Sequence, residues 1–140
     1  MRVSDVMVKN PVTISPTMPV LEVARLMKEK EISSVILTSG SKPVGIVTER
    51  DLVRRVLAEA KDPHRLQAAD ICSKPIVAVS IYCPLEDAVE TMNEHAIRRL
   101  VVVDDKDMLV GIITTDDIGY NLKSMSEELA MKYLSLTKRK

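Results

Sequence analysis

Gly45-Ile46-Val47-Thr48-Glu49-Arg50-Asp51-Leu52 reads GIVTERDL, and sixty-six residues on the chain reads GIITTDDI, from Gly111 to Ile118. Glycine, isoleucine, threonine and aspartate recur at the same four places, and two further positions exchange one aliphatic residue for another. A β-branched run that enters Thr-x-x-Asp predicts a strand running into a capped helix. The likeness extends outward from this phrase, because residues 4–57 overlay residues 69–122 with small gaps. SDVMVKNPVTIS lies over ADICSKPIVAVS, PVLEVARLM over PLEDAVETM, and ISSVIL over IRRLVV. Two units of this length account for most of the 140 residues, so duplication decides the architecture.

Each copy predicts the order β-α-β-β-α. A short strand at Val12–Ser15 or Val77–Ser80 precedes a helix opened by Pro19 or Pro84, each placed for a first helical turn. Val20, Val23, Ala24 and Met27 fall at i, i+3, i+4 and i+7, as do Leu85, Ala88, Val89 and Met92, which marks one buried helix face. Apolar strands follow at Val35–Thr38 and Val44–Thr48, then at Leu100–Asp104 and Val110–Thr114, joined by polar turns. The second helices are expected over Glu49–Leu57 and Thr115–Leu122. The organisation is therefore an α/β (α+β) fold: repeat one over 1–60, a connector over 61–68, repeat two over 69–122 and a helical tail over 123–140. The polar, proline-broken stretch Glu59–Gln67 marks the connector. In the tail, Ser126 is placed as a cap, Glu127 and Glu128 fall in the first turn, and Lys138-Arg139-Lys140 close the end, an order that suits a helix dipole. Leu129, Tyr133 and Leu136 form an apolar stripe along it. Neither half has a comfortable core alone, so the halves are expected to associate with pseudo-twofold symmetry.

Composition excludes several functions. Twenty basic residues balance twenty acidic ones, which argues against duplex nucleic acid or an anionic membrane as a bulk partner. No apolar run has the length of a membrane helix, and the opening MRVSDVMVKNP lacks the apolar core of a signal peptide, so a soluble, cytoplasmic protein is expected. With three tyrosines, no Phe and no Trp, the core must be aliphatic, and stacking platforms for single strands are scarce. Cys72 lies over Met7 and Cys83 over Met18, so each cysteine reads as a small packing residue. His64 falls in the connector and His95 near a helix end, without a partner nucleophile or ligand spacing. Asp104, Asp105 and Asp107 read as a solvated hairpin. No catalytic residue, metal site or catalytic cofactor is expected.

The ordered, duplicated phrases DVM…P, PVLEVARLM, the apolar strand and VGIVTERDL resemble a tandem pair of CBS domains, named after cystathionine β-synthase and also called a Bateman module. The resemblance runs from Val3 to Leu122. It implies a non-catalytic regulatory module that commonly forms homodimers and reports ligand state to an effector protein. It also implies a cleft between the repeats that takes an adenosine ligand: AMP, ADP, ATP or S-adenosylmethionine. Carried onto this chain, the ribose-binding acids are Asp51 and Asp117. Thr48 and Thr114 lie near ribose and phosphate, as would Arg50. The adenine wall includes Val12, Val77, Ile46 and Ile112. The second-strand entry that borders the pocket falls on Ser33 in repeat one, and on Arg98 and Arg99 in repeat two, where basic residues contact phosphate.

Thr-x-x-Asp by itself supports two readings. It is a capping box, in which threonine satisfies a free N–H and aspartate answers back. It is also a carboxylate held where it can accept both hydroxyl protons of a ribose diol. The first turns differ in charge, Glu49-Arg50-Asp51 against Thr115-Asp116-Asp117, which makes the Asp51 site the expected anion site unless Arg98 or Arg99 compensates. Adjacent arginines at a strand start point to opposite faces, and Arg99 is favoured as the one that faces the ligand; the alternative pairs both with Asp104, Asp105 or solvent. Two other functions stay open: a constitutive dimerisation scaffold with empty clefts, and nucleic-acid binding through Arg98, Arg99 and the basic tail.

Overall fold

The computed structural model describes residues 1–121 and 126–137; Leu122, where the last helix of repeat two was expected to end, and the basic end Lys138-Arg139-Lys140 lie outside the described residues. In chain order the elements are β1 (Val8–Lys9), β2 (Thr13–Ile14), α1 (Val20–Lys30), β3 (Ser34–Ser39), β4 (Lys42–Thr48), α2 (Glu49–Leu52), α3 (Ala68–Ile71), β5 (Ala78–Ser80), α4 (Leu85–His95), β6 (Arg99–Val103), β7 (Leu109–Thr114), α5 (Thr115–Tyr120) and α6 (Glu127–Thr137). A 3-10 turn at Val3–Asp5 precedes β1, and a π-helical turn at Val53–Leu57 prolongs α2. The expected order β-α-β-β-α is present twice, as β2-α1-β3-β4-α2 and as β5-α4-β6-β7-α5.

Two compact units divide the chain, and they do not follow the sequence repeats. One comprises Pro11–Ile76; the other joins Met1–Asn10 to the chain from Val77 onward. The opening of each repeat therefore folds with the remainder of the other. In the second-repeat unit the sheet order is β1-β7-β6-β5, with Val8 of β1 antiparallel to Ile112. In the first-repeat unit β2-β3-β4 form the sheet, and Ser73 bridges Ile46 on the free side of β4. Ser73 is the residue that overlays Val8, and Ile46 the one that overlays Ile112, so both units extend their sheet at the same register.

The cores are aliphatic, as the composition requires. Val20, Val23, Met27, Val35, Leu37 and Val47 form the centre of the first-repeat unit, with Ala68, Ile71 and Cys72 added by the chain that follows the connector. Leu85, Val89, Met92, Leu100, Val102 and Ile113 form the other, closed by Val3 and Val6 from the opening residues. The α6 stripe behaves as its spacing predicts: Leu129 and Leu136 are buried in this core and Tyr133 lies against it. Ser126 caps α6, its Oγ accepting from Leu129 N–H at 3.3 Å.

Three local details depart from the sequence expectations. Pro19 and Pro84 stand as the caps of α1 and α4 rather than within the first turn, with extended ψ near 139° and 143°. The first strands are shorter than expected because β2 pairs only through Thr13 and Ile14. The helix expected over Glu49–Leu57 changes hydrogen bonding midway, since Ala58 N–H donates to Val53 O at 2.8 Å, a bond to the fifth residue back.

α1 and α4 end alike. Glu31 and Ala96 adopt the left-handed conformation, with φ of 54° and 53°. Ile32 N–H then donates back to Met27 O at 3.0 Å, and Ile97 N–H to Met92 O at 3.1 Å. This closure satisfies carbonyls at the helix end and turns the chain sharply into the next strand. It delivers Ser33 and Arg98 to the mouths of the two Thr-x-x-Asp turns.

Candidate functional site

Each turn is built by a strand that ends on threonine. In the first-repeat unit β4 runs Ile46, Val47, Thr48, and alternation sends Val47 into the core while Ile46 and Thr48 share the other face. Ile36 of β3 lies directly opposite Ile46, so its side chain stands on that face too. Val12 joins through its carbonyl, which accepts from Ile36 N–H at 3.1 Å. Ser33 joins through its carbonyl, which accepts from Glu49 N–H at 3.1 Å. Val12, Ser33, Ile46, Thr48 and Asp51 are thus gathered around one strand-to-helix junction, while Arg50 is exposed at the start of α2.

The capping box is present at both junctions. Thr48 N–H donates to Asp51 Oδ2 at 2.9 Å and Thr48 Oγ1 donates to the same oxygen at 3.2 Å, while Asp51 N–H donates to Thr48 Oγ1 at 3.3 Å. In the second-repeat unit the corresponding distances for Thr114 and Asp117 are 2.8, 2.9 and 3.3 Å. The cap and the carboxylate-orienting device are therefore one arrangement. Threonine occupies Oδ2 and fixes the direction of Oδ1.

The surroundings of Oδ1 differ between the copies. Ser73 Oγ donates to Asp51 Oδ1 at 3.0 Å, and Arg55 Nε stands 3.7 Å from the same oxygen. Arg55 also donates through a guanidinium nitrogen to the carbonyls of Ile71 at 3.3 Å and Cys72 at 3.0 Å. Asp51 is only 6% exposed; Asp117 is half-buried. Among the described residues the side-chain contacts of Asp117 are those of Thr114 at Oδ2. Asn121, which overlays Arg55, donates through Nδ2 to the backbone carbonyl of Asp117 at 2.8 Å and leaves its carboxylate alone.

Arg98 and Arg99 belong to the second-repeat unit. Arg98 O accepts from Thr115 N–H at 2.9 Å, the counterpart of Ser33 and Glu49. Arg99 lies directly opposite Thr114 in the β6–β7 pair, so the two side chains emerge on one face. Ile112 pairs with Val101, and Val77 O accepts from Val101 N–H at 3.2 Å. The arginines therefore border the Thr114–Asp117 turn through Thr115 and Thr114, the turn whose own first residues are the more acidic.

Sequence reasoning missed Ser73, Arg55 and Asn121. The overlay shows that the repeats differ at these positions, Ser73 against Val8 and Arg55 against Asn121, but only the fold brings Ser73 to Asp51.

Both histidines and Asp104 make local contacts. His64 and His95 are exposed, with His64 Nδ1 at 3.1 Å from Asp62 Oδ1 and His95 Nδ1 at 3.0 Å from Thr91 O. Asp104 Oδ1 accepts from Lys106 N–H and Met108 N–H in the β6–β7 turn. Cys72 is buried, and both cysteines are free thiols. Burial, with a smaller push from Asp87, raises the Cys83 pKa, which keeps it a neutral thiol. Among the described residues no group of His, Cys, Asp or Glu has the geometry of a metal site, and no helix is long and apolar enough to cross a membrane.

A duplicated β-α-β-β-α fold with a Thr-x-x-Asp turn in each copy defines a module of two like repeats. The profile of the CBS domain matches residues 3–58 and 68–122, and the chain belongs to the CBS domain family. An uncharacterized protein of Methanopyrus kandleri is 38% identical over 132 residues, covering 91% of this chain and 67% of its own. A CBS domain protein from Pyrobaculum aerophilum, solved in complex with AMP, matches with a TM-score of 0.79 at 28% identity, over 96% of this chain and 99% of that one. A CBS domain pair solved with 5′-methylthioadenosine and S-adenosyl-L-methionine matches with a TM-score of 0.77 at 26% identity, over 86% of this chain and 98% of its own.

Proposed function

We propose that the chain is a non-catalytic, ligand-sensing module of the cytoplasm that binds an adenosine compound, AMP, ADP, ATP or S-adenosylmethionine, as a regulatory ligand. The observation that carries this reading is the locked carboxylate, with Oδ2 of Asp51 and of Asp117 held by threonine at both junctions. A carboxylate fixed in this way can accept the hydroxyl protons of a ribose diol without the entropic cost of being ordered by the ligand. The adenine ring lies against Ile46 and Val12, or against Ile112 and Val77, with Ser33 at the border of the first set. Thr48, Thr114 and Arg50 flank the ribose, and Arg98 and Arg99 meet phosphate. The AMP and S-adenosylmethionine complexes of the related CBS proteins support the ligand class.

Calorimetric titration with AMP, ATP and S-adenosylmethionine tests the reading. Saturable heat from at least one is the expected result. Absence of heat from all three at millimolar ligand would favour a scaffold that acts through association alone.

Self-association accompanies the sensing role in this proposal. Val53 and Leu57, one turn apart beside the Asp51 junction, are 54% and 76% exposed, a placement that suits a homodimer contact. Ligand binding would alter that assembly, and an effector protein would read the change.

A further inference from the structure

The two aspartates share a backbone setting and differ in what already occupies them. A ribose hydroxyl binds a carboxylate by donating its proton, and Ser73 makes that bond to Asp51 Oδ1 from within the chain, at 3.0 Å. Its backbone is held in place, since Ser73 N–H donates to Ile46 O at 2.8 Å and Ile46 N–H donates to Ser73 O at 3.3 Å. In the second-repeat unit Val8 stands at that register, opposite Ile112, and has no hydroxyl to give. The guanidinium of Arg55 adds a second contact at Asp51 Oδ1, at 3.7 Å, whereas Asn121 turns to a backbone carbonyl.

We propose that Ser73 is a specificity-determining residue that acts as an internal competitor for the diol-accepting oxygen of Asp51 and makes the two sites unequal. An adenosine ligand then fills the Asp117 site first, and reaches Asp51 only by displacing the serine hydroxyl. This inference rests on the adenosine-binding reading and reverses the order that the charges of the two first turns predict. The placement of Arg99 opposite Thr114, where the first-repeat unit has Ser34 opposite Thr48, favours the same site for a ligand that carries phosphate.

The test is a residue exchange read by calorimetry with AMP as probe. Wild type is expected to show a tight site that Asp117→Ala weakens about 30- to 150-fold and Asp51→Ala leaves in place. Ser73→Val is expected to tighten the weaker site about ten-fold, the value of a single hydrogen bond to a charged group. Val8→Ser is expected to weaken the tight site by about the same factor. Val8 is 49% exposed, so its exchange spares the core, and Ser73→Ala replaces Ser73→Val should the latter melt early. A tight site that follows Asp51, or affinities unchanged in both exchanges, overturns the competitor role while adenosine binding stands. Binding of AMP, ATP and S-adenosylmethionine by neither wild type nor Ser73→Val overturns the functional reading together with this one.

Discussion

Cys72 covers Gly45 so closely that a Cβ on the glycine would stand 2.9 Å from its sulfur and 3.3 Å from its Cβ. Met7 covers Gly111 in the same way, with its sulfur at 2.6 Å from such an atom and Val8 O at 3.0 Å. The glycine that opens each copy of the repeated phrase is thus required by a segment from the other repeat. It allows that segment to lie along the last strand of the sheet, and so places Ser73 beside Asp51 and Val8 opposite Ile112.

Gly45→Ala and Gly111→Ala are therefore expected to destabilise their units by about 1–3 kcal/mol, the usual cost of overfilling a packed site. Thermal denaturation would show this as a loss of roughly 3 °C for each kcal/mol. Cys72→Ala should recover part of the loss in the Gly45→Ala background, because the two changes share a contact. Purely additive effects would place the strain elsewhere.

Thr48→Ala and Thr114→Ala each remove a cap and release an aspartate. A loss of about 1 kcal/mol in stability is expected for each, with weaker adenosine binding at the same junction. Thr→Ser at either position keeps the hydroxyl and should preserve both. Melting curves and titrations on the same samples check the pairing of the two effects. A serine variant as impaired as the alanine one would show that the methyl group, not the hydroxyl, matters there.

Ala96 closes α4 in the left-handed conformation with φ of 53°, which disfavours any side chain with a Cβ. Ala96→Gly relieves that strain at the cost of a more flexible unfolded chain, and a net gain of about 0.5–1 kcal/mol is expected. Denaturant midpoints at unchanged slope would record it.

Leu57, 76% exposed, contributes nothing to the core of its unit, so Leu57→Glu should leave the melting temperature of an isolated protomer intact. If Val53 and Leu57 form the dimer contact, the substitution shifts the light-scattering mass toward the monomer. An unchanged mass would remove this face from the assembly.

The local features of this fold were legible in the sequence because their causes are local. The i, i+3, i+4, i+7 spacing of Val20 to Met27 reports burial directly, and Thr48 and Asp51 are close enough in sequence to form a cap whatever the rest of the chain does. The exchange of opening segments was not legible. Val8 and Ser73 sit in short extended stretches, and which sheet each one joins depends on pairing with Ile112 and Ile46 at long range, about which periodicity says nothing. α3 is four residues long, too short to show a period. That the two aspartates form matched caps was legible from their spacing, but the difference in their surroundings depends on a contact between residues 51 and 73, which no spacing rule reaches.

The most direct measurement of the central claim is the affinity for AMP of wild type beside Asp51→Ala and Asp117→Ala. Loss of an aspartate that accepts ribose hydroxyls removes charge-assisted hydrogen bonds worth roughly 2–3 kcal/mol, or about 30- to 150-fold in Kd. The account predicts a fall of that size for Asp117→Ala at the tight site. AMP binding of wild-type strength in both variants, and in the double variant, would contradict it.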